Sequence, residues 1–369
     1  MSDALRVFLD ARTLTWSGVG RYVKGLIESL AARDDIDLTV FHYPKDRLPV
    51  TDGIKTVEAS AGVFSPKGLV EVSLVARRYD YDLFHAPMFI TPYAIKKPLV
   101  VTIHDLIPLT VPDVMPGFAE RRLYYTVNKR AAKIANAILV PSQSTKDDVA
   151  KFLECAPLKV HIVSHAMDPE FSSLTERQDS AILLKLGIGE PYVLSMGNEK
   201  PSKNIVTLVQ AFSLVRAMIP LKLVLVGAPT ERFAQVQDAI ADLDLQEYVL
   251  YTGHVSDEEL VALYSNALVF VFPSIYEGFG LPPLEAMTYG TPVACSSTTS
   301  LPEVVGNAAE LFDPFSADDI SVSILKLATD SSLRKDMIDR GHERARQFNW
   351  QNTSSGIVEV YRQAINLKK

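Results

Sequence analysis

Glu277 and Glu285 stand eight residues apart in the string E-G-F-G-L-P-P-L-E, two carboxylates around a pair of glycines. Carboxylates accept hydrogen bonds from hydroxyl groups, which sugars and riboses supply. Gly278 and Gly280 let backbone amides approach an anion with no Cβ in the way. A helix opening at Pro283 would add the positive end of its dipole. A sugar carried on a pyrophosphate would suit both parts of the string. Either carboxylate alone says little, because a Glu in a first helical turn commonly serves the dipole only.

Other residues of suitable type lie in similar places. Lys203 and Lys200 belong to S-M-G-N-E-K-P-S-K-N at 195–204, which follows an apolar run and opens a helix, so either lysine can reach a phosphate. Gly18 and Gly20 lie in S-G-V-G-R-Y. A lone G-x-G is weak evidence, and a nicotinamide fingerprint is disfavoured because Val23 replaces its third glycine and the long D-A-R-T-L-T-W loop precedes it. His104 follows an apolar strand in V-V-T-I-H-D-L, with Asp105 read as orienting that loop. His85, in L-F-H-A-P, also ends a strand, where a structural loop histidine is at least as good a reading.

Short apolar runs alternating with amphipathic stretches must position these residues. Runs at 5–9, 37–41, 98–103 and 138–140 interleave with helix-like 19–32, 118–135 and 144–153, a parallel α/β pattern. After the polar stretch at 172–180 the rhythm restarts, with strands read at 192–196, 221–226 and 268–272 and a helix at 205–218. Ser256 with Glu259 forms a capping box, and Pro283 with Gly290 brackets a short helix, placing Glu285 in its first turn. The 369 residues divide into two domains, 1–170 and 171–347, followed by a C-terminal helix at 348–369. In open parallel sheets ligands sit beyond the carboxyl ends of the strands, and the candidate residues occupy such positions.

Composition removes several function classes. With 47% apolar and 22% charged residues the chain reads as folded. Its apolar runs are too short to span a membrane. The start, M-S-D-A-L-R, lacks a basic n-region, so the expectation is a cytoplasmic protein. Residues 1–170 hold 21 basic and 20 acidic side chains, against 16 and 24 in the remainder. Nucleic acid, which needs a basic surface, is therefore not expected as a partner. Cys155 and Cys295 lie far apart and away from metal-ligand spacing, and both are expected as buried thiols.

Three D-x-D triplets, at Asp35/Asp37, Asp80/Asp82 and Asp242/Asp244, raise the question of a metal on a diphosphate. None sits at the carboxyl end of a strand, and no catalytic metal is expected. The stretch 118–135 carries Arg121, Arg122, Lys129, Arg130 and Lys133 on an aromatic-bearing helix, which suits peripheral contact with an anionic membrane. The alternative is a solvated helix face with Leu123, Tyr124 and Val127 packed inward.

The string at 277–285 resembles the E-x7-E signature of family 4 of the retaining glycosyltransferases, and the similarity extends over nearly the whole chain. The resemblance implies the GT-B fold, two Rossmann-like domains with parallel sheets facing a central cleft, 1–170 binding the acceptor and 171–347 the nucleotide-sugar, and a C-terminal helix crossing back to the first. It implies Glu277 on the transferred sugar and Glu285 on the donor ribose, with backbone amides from Gly278, Phe279, Gly280 and Leu281. Lys203 matches a phosphate-binding lysine, His104 a histidine bordering the donor sugar, and Gly18 and Gly20 a first loop facing phosphates and acceptor. Relatives carry a basic residue where this chain has Ser202 or Asn198, and Lys200 offers a replacement charge. Glu303, in S-L-P-E-V-V-G, and G-H-V at 253–255, near the donor base, match further segments. S-H-A-M-D at 164–168 departs from the usual P-N-G-V-D and puts the hinge geometry in doubt.

The overall pattern looks most like bacterial mannosyltransferases that build surface polysaccharide. It implies GDP-mannose as donor substrate, a glycan or lipid-linked glycan as acceptor, and no cofactor. Retention by front-face substitution follows from the resemblance alone. UDP-glucose, another UDP-sugar or dTDP-rhamnose are the alternative donors. A sugar-nucleotide epimerase and a catalytically weak glycan-binding or assembly subunit are the readings of other classes.

Overall fold

The computed structural model describes residues 4–174, 180–189, 191–197, 200–229 and 234–366. Asn198 therefore lies outside the described residues. By contacts the chain forms two compact units: Met1–Leu109, Met115–Pro169 and Phe348–Lys369 make the first, and Thr110–Val114 with Glu170–Gln347 the second.

The first unit is built on a parallel sheet of β1 (Leu5–Asp10), β2 (Ile36–His42), β3 (Lys55–Glu58), β4 (Leu83–Ala86), β5 (Leu99–Thr102), β6 (Ala137–Val140) and β7 (Val160–Ile162). Its spatial order is β3-β2-β1-β4-β5-β6-β7. The inner strands are buried almost throughout, because helices cover both faces of a parallel sheet. One layer packs Val7 and Leu9 against Val23, Leu26 and Ile27 of the helix Ser17–Ala31, and against Ile357 and Tyr361 of the C-terminal helix Trp350–Asn366. That last helix closes on Gly25, where an added Cβ would lie 2.1 Å from Trp350 Cε2.

The second unit holds β8 (Tyr192–Met196), β9 (Lys222–Val226), β10 (Val249–Tyr251), β11 (Val269–Phe272), β12 (Val293–Ser296) and β13 (Ala309–Phe312). These pair in parallel in the order β10-β9-β8-β11-β12-β13. The Ser256/Glu259 capping box is present at the start of the helix Asp257–Asn266.

Several local expectations change. The short helix after β11 spans Leu281–Thr288 and opens two residues before Pro283, because Gly280 at φ +107° ends the loop and Pro282 is tolerated in the first turn. Glu285 thus lies beyond the first turn, and the dipole reading of that carboxylate does not apply. Leu123 is 64% exposed and does not pack inward. On the same helix Arg121 donates to the Met115 carbonyl, Lys129 to Glu154, and Arg130 to Thr91 and the Pro92 and Tyr93 carbonyls. Arg122 and Lys133 are exposed, and the Lys129 side chain is 38% exposed beside Glu154. Cys295 is buried but Cys155 only half-buried. Among the described residues no helix is long and apolar enough to cross a membrane.

Two of the three acidic triplets find structural partners. Asp35 pairs with Arg33 and Arg362, Asp37 with Lys55, and Asp80 and Asp82 with Arg6.

Candidate active site

In the second unit all strands are parallel, but the strand order reverses between β8 and β11, so the loops leaving those two strands run to opposite sides and leave a crevice. The loop after β8 ends in a tight turn, Pro201–Lys203. Asn204 adopts φ +57° and donates to the Pro273 and Pro314 carbonyls, while the Ser202 carbonyl accepts from Ile275 N. These bonds tie the lysine-bearing turn to the loop after β11.

That tie brings Lys203 and Glu277 together. Lys203 Nζ lies 2.5 Å from Glu277 Oε1 and 5.0 Å from the Phe272 ring centroid. The two side chains are 21% and 12% exposed, so the pair is shielded without being sealed. Ser202 is buried. Lys200 is exposed at the start of the turn.

The loop carrying Glu277 is held through its backbone. Glu277 N donates to Thr299 Oγ1 at 3.1 Å, and the buried Ser300 hydroxyl lies within 2.9 Å of the carbonyls of Glu277 and Phe279. Gly278 and Phe279 are buried and Leu281 half-buried. Gly280 must be glycine: beyond its positive φ, a Cβ there would lie 2.5 Å from Leu301 Cδ2. Glu285 is buried, with its Oε2 accepting from Tyr264 OH at 3.1 Å. Tyr264 is itself fully buried and its carbonyl accepts from Thr291 Oγ1 at 2.6 Å. Tyr264, Thr299 and Ser300 were missed as functional residues, since a tyrosine in L-V-A-L-Y reads as helix core and hydroxyls before a helix read as caps.

Glu303 is exposed on the turn of helix Leu301–Val305, its carbonyl bound by Arg344. Residues 253–255 follow β10, with Gly253 at φ +71° and His254 exposed.

The first unit places its candidates differently. Gly18 and Gly20 lie inside the first turn of helix Ser17–Ala31. Gly20 is required by its own loop, because a Cβ would lie 2.3 Å from the Leu14 carbonyl oxygen, whereas Gly18 is exposed and faces open space. His104 Nε2 lies 2.8 Å from the Pro87 carbonyl, which can only accept, so that nitrogen carries a proton. With a neutral ring, His104 Nδ1 then accepts from His165 Nε2 at 3.0 Å. Burial holds His104 neutral by pushing its pKa down to about 4. The Pro87 carbonyl thus fixes the tautomer of His104, His165 of the departing S-H-A-M-D segment meets its other nitrogen, and both ring nitrogens of His104 are engaged. Asp105 caps the turn after it, accepting from Ile107 N.

His85 is fully buried, 2.9 Å from Thr102 Oγ1 and 2.6 Å from Tyr361 OH, a structural link between β4, β5 and the C-terminal helix. Desolvation, with His104 nearby, pushes it down to about 3. Both folded values lie below the ordinary 6.5, so the unfolded chain binds more protons and stability is lost as pH falls from about 6.5 toward those values, each histidine contributing up to about 1.4 kcal/mol per pH unit. Both tryptophans, Trp16 and Trp350, lie in the first unit, so their fluorescence reports its unfolding alone. The urea midpoint by fluorescence is expected to fall between about pH 7 and pH 5; a flat midpoint would contradict the neutral, buried placement of these rings.

Residues 16–171 match the family described as Glycosyltransferase Family 4, and residues 181–344 match Glycosyl transferases group 1. The chain is 30% identical to O-antigen chain mannosyltransferase B of Escherichia coli, over 94% of this chain and 96% of that protein. It is 31% identical to the serotype-specific mannosyltransferase WbdA of Escherichia coli over 71% of this chain, which spans only 33% of that longer protein. Among solved structures, HepE of Anabaena in complex with UDP-glucose aligns with a TM-score of 0.76 at 17% identity, covering 97% of this chain and 100% of that one.

Proposed function

The chain belongs to the family 4 glycosyltransferases and has their GT-B fold, and from that premise we propose that it transfers mannose from GDP-mannose to a glycan or lipid-linked glycan acceptor during surface polysaccharide synthesis. The likeness to O-antigen chain mannosyltransferase B along nearly the full length of both chains carries this reading. The Lys203, Glu277 and Glu285 constellation supports its chemistry.

Breaking the bond between C1 and the diphosphate oxygen leaves negative charge on the leaving group and an oxocarbenium-like sugar. In this reading Lys203 and the amides of 278–281 take the departing phosphates. Glu277 accepts from the transferred sugar, exchanging its bond with Lys203 for bonds to the donor. Glu285, held by Tyr264, accepts from the ribose hydroxyls. The sugar leaves and the acceptor arrives on one face, with retention. His104 serves as a neutral, fixed ring beside the sugar, since neither ring nitrogen is set up to transfer a proton.

A UDP-sugar donor is the second reading, favoured by the fold-level likeness to a protein solved with UDP-glucose. Donors distinguish the two by thermal shift. At about 100 times its dissociation constant a specific donor stabilises the folded protein by about 2.7 kcal/mol. GDP-mannose is expected to raise the melting temperature, and Glu285→Ala to remove most of that rise. A shift with UDP-glucose and none with GDP-mannose would replace the first reading by the second.

A further inference from the structure

The loop D-A-R-T-L-T-W, between β1 and the first glycine of the helix, has no part in the donor chemistry above. In the first unit it builds a surface of its own. Arg12 is fully buried and ion-paired with Asp10 at 2.6 Å; it donates to the Gly68 carbonyl and lies over the Phe41 ring. A buried, paired arginine fixes the loop to β2 and to the helix Pro66–Ala76. Glu71 braces the facing loop, accepting from the amides of Ser60 and Ala61 and from the Ser60 hydroxyl.

On this rigid base Trp16 and Phe64 stack, with ring centroids 5.2 Å apart and planes 24° apart. Phe64 remains 65% exposed. The pair walls a cleft of about 450 Å³ whose lining also holds Gly62 and Val63 and the polar Thr15, Tyr43, Lys45 and Ser65. A second cleft of about 570 Å³ shares Tyr43 and Lys45 and continues past Glu58 and Ser60. Both lie beyond the carboxyl ends of β1, β2 and β3, where parallel sheets take their ligands. Their volumes are those of ligand sites.

We propose that the Trp16–Phe64 platform and the groove shared through Tyr43 and Lys45 form a carbohydrate subsite that holds pyranose units of the acceptor glycan. The apolar C–H face of a pyranose stacks on a flat aromatic pair, while its hydroxyls need polar partners around the edge of the ring. This cleft offers that combination: one aromatic wall and a rim of hydroxyl and ammonium groups. An alkyl chain would need apolar walls on every side and would leave the rim unused. Two clefts in line accommodate more than one sugar. The proposal rests on the reading of the chain as a transferase acting on glycans, and names which residues of the first unit grip the acceptor.

Acrylamide quenching of Trp16 tests it, because Trp350, the other tryptophan, is buried against Gly25. The probes are manno-, gluco- and galacto-configured trisaccharides, and an octyl-chain detergent without sugar. One or more trisaccharides are expected to protect Trp16, and Phe64→Ala to weaken that protection about 10-fold, with Phe64→Tyr restoring it. In transfer assays Phe64→Ala is expected to raise the acceptor KM about 10-fold, while the donor KM shifts less than about twofold. Protection by the detergent alone, or a Phe64→Ala variant with unchanged acceptor KM and unchanged protection, would overturn the subsite. Trisaccharide protection in a protein that transfers no sugar would leave the subsite standing and remove the transferase reading; transfer with no trisaccharide protection would do the reverse.

Discussion

Glu277→Ala is expected to lower sugar transfer about 10³-fold, the scale on which a single preorganised electrostatic contact acts. The fold should survive. Glu277 is held in its loop by its amide on Thr299 and its carbonyl beside Ser300, and neither bond involves its side chain. What the substitution removes is the carboxylate that faces Lys203. Losing that partly exposed ion pair costs about 1 kcal/mol of stability, far too little to unfold the unit. Glu277→Gln separates charge from shape: it keeps an acceptor for a sugar hydroxyl and loses the attraction to Lys203. If activity follows the charge, Gln behaves like Ala; if it follows the hydroxyl contact, Gln retains a large part of the rate. Turnover at the unsubstituted rate by both variants, with donor saturating, would refute the assignment of Glu277.

The second large effect is on stability. Trp350→Ala is expected to destabilise the first unit by about 3–5 kcal/mol, the usual result of emptying a large buried aromatic site. Trp350 is buried among Tyr22, Gly25 and the helix Ser17–Ala31. Gly25→Val attacks the same contact from the other side, since the added Cβ meets the indole at 2.1–2.4 Å; overpacking of this kind costs about 1–3 kcal/mol or more. The two changes should partly compensate when combined, because valine enters the space the indole vacates. Urea unfolding read by backbone circular dichroism and by the remaining tryptophan gives the three values. Strict additivity in the double variant would show that the two residues are not packed on each other.

Much of the site was legible because it sits where chain direction changes. Strand, polar glycine-bearing loop and helix follow one another at 269–288, and local rules of turns and phosphate binding apply directly to such a string. Glu285 shows the limit. Its carboxylate was read as a first-turn residue from Pro283, yet the positive φ of Gly280 starts the helix at Leu281. What holds that carboxylate is a tyrosine 21 residues earlier, a contact that no local pattern encodes. His165 is similar: the S-H-A-M-D segment stood out as a departure, but its meaning depends on β5 and β7 lying in one sheet. Leu123 failed for a different reason, since apolar spacing on a helix marks a face and not what covers it. The aromatic pair of Trp16 and Phe64 joins two loops 48 residues apart and gave no signal at all.

The C-terminal helix belongs to the first unit, although residues 170–347 belong to the second. Tyr361 reaches His85 across 276 residues of sequence. A chain emerging from the ribosome therefore presents Val23, Leu26 and Ile27 without the surface that finally covers them. Residues 170–347 need nothing that comes later and can close as soon as they are made. Synthesis order and folding order are thus inverted within these two units: the first is completed only after the second, and its apolar layer stays uncovered until residues 350–366 are made.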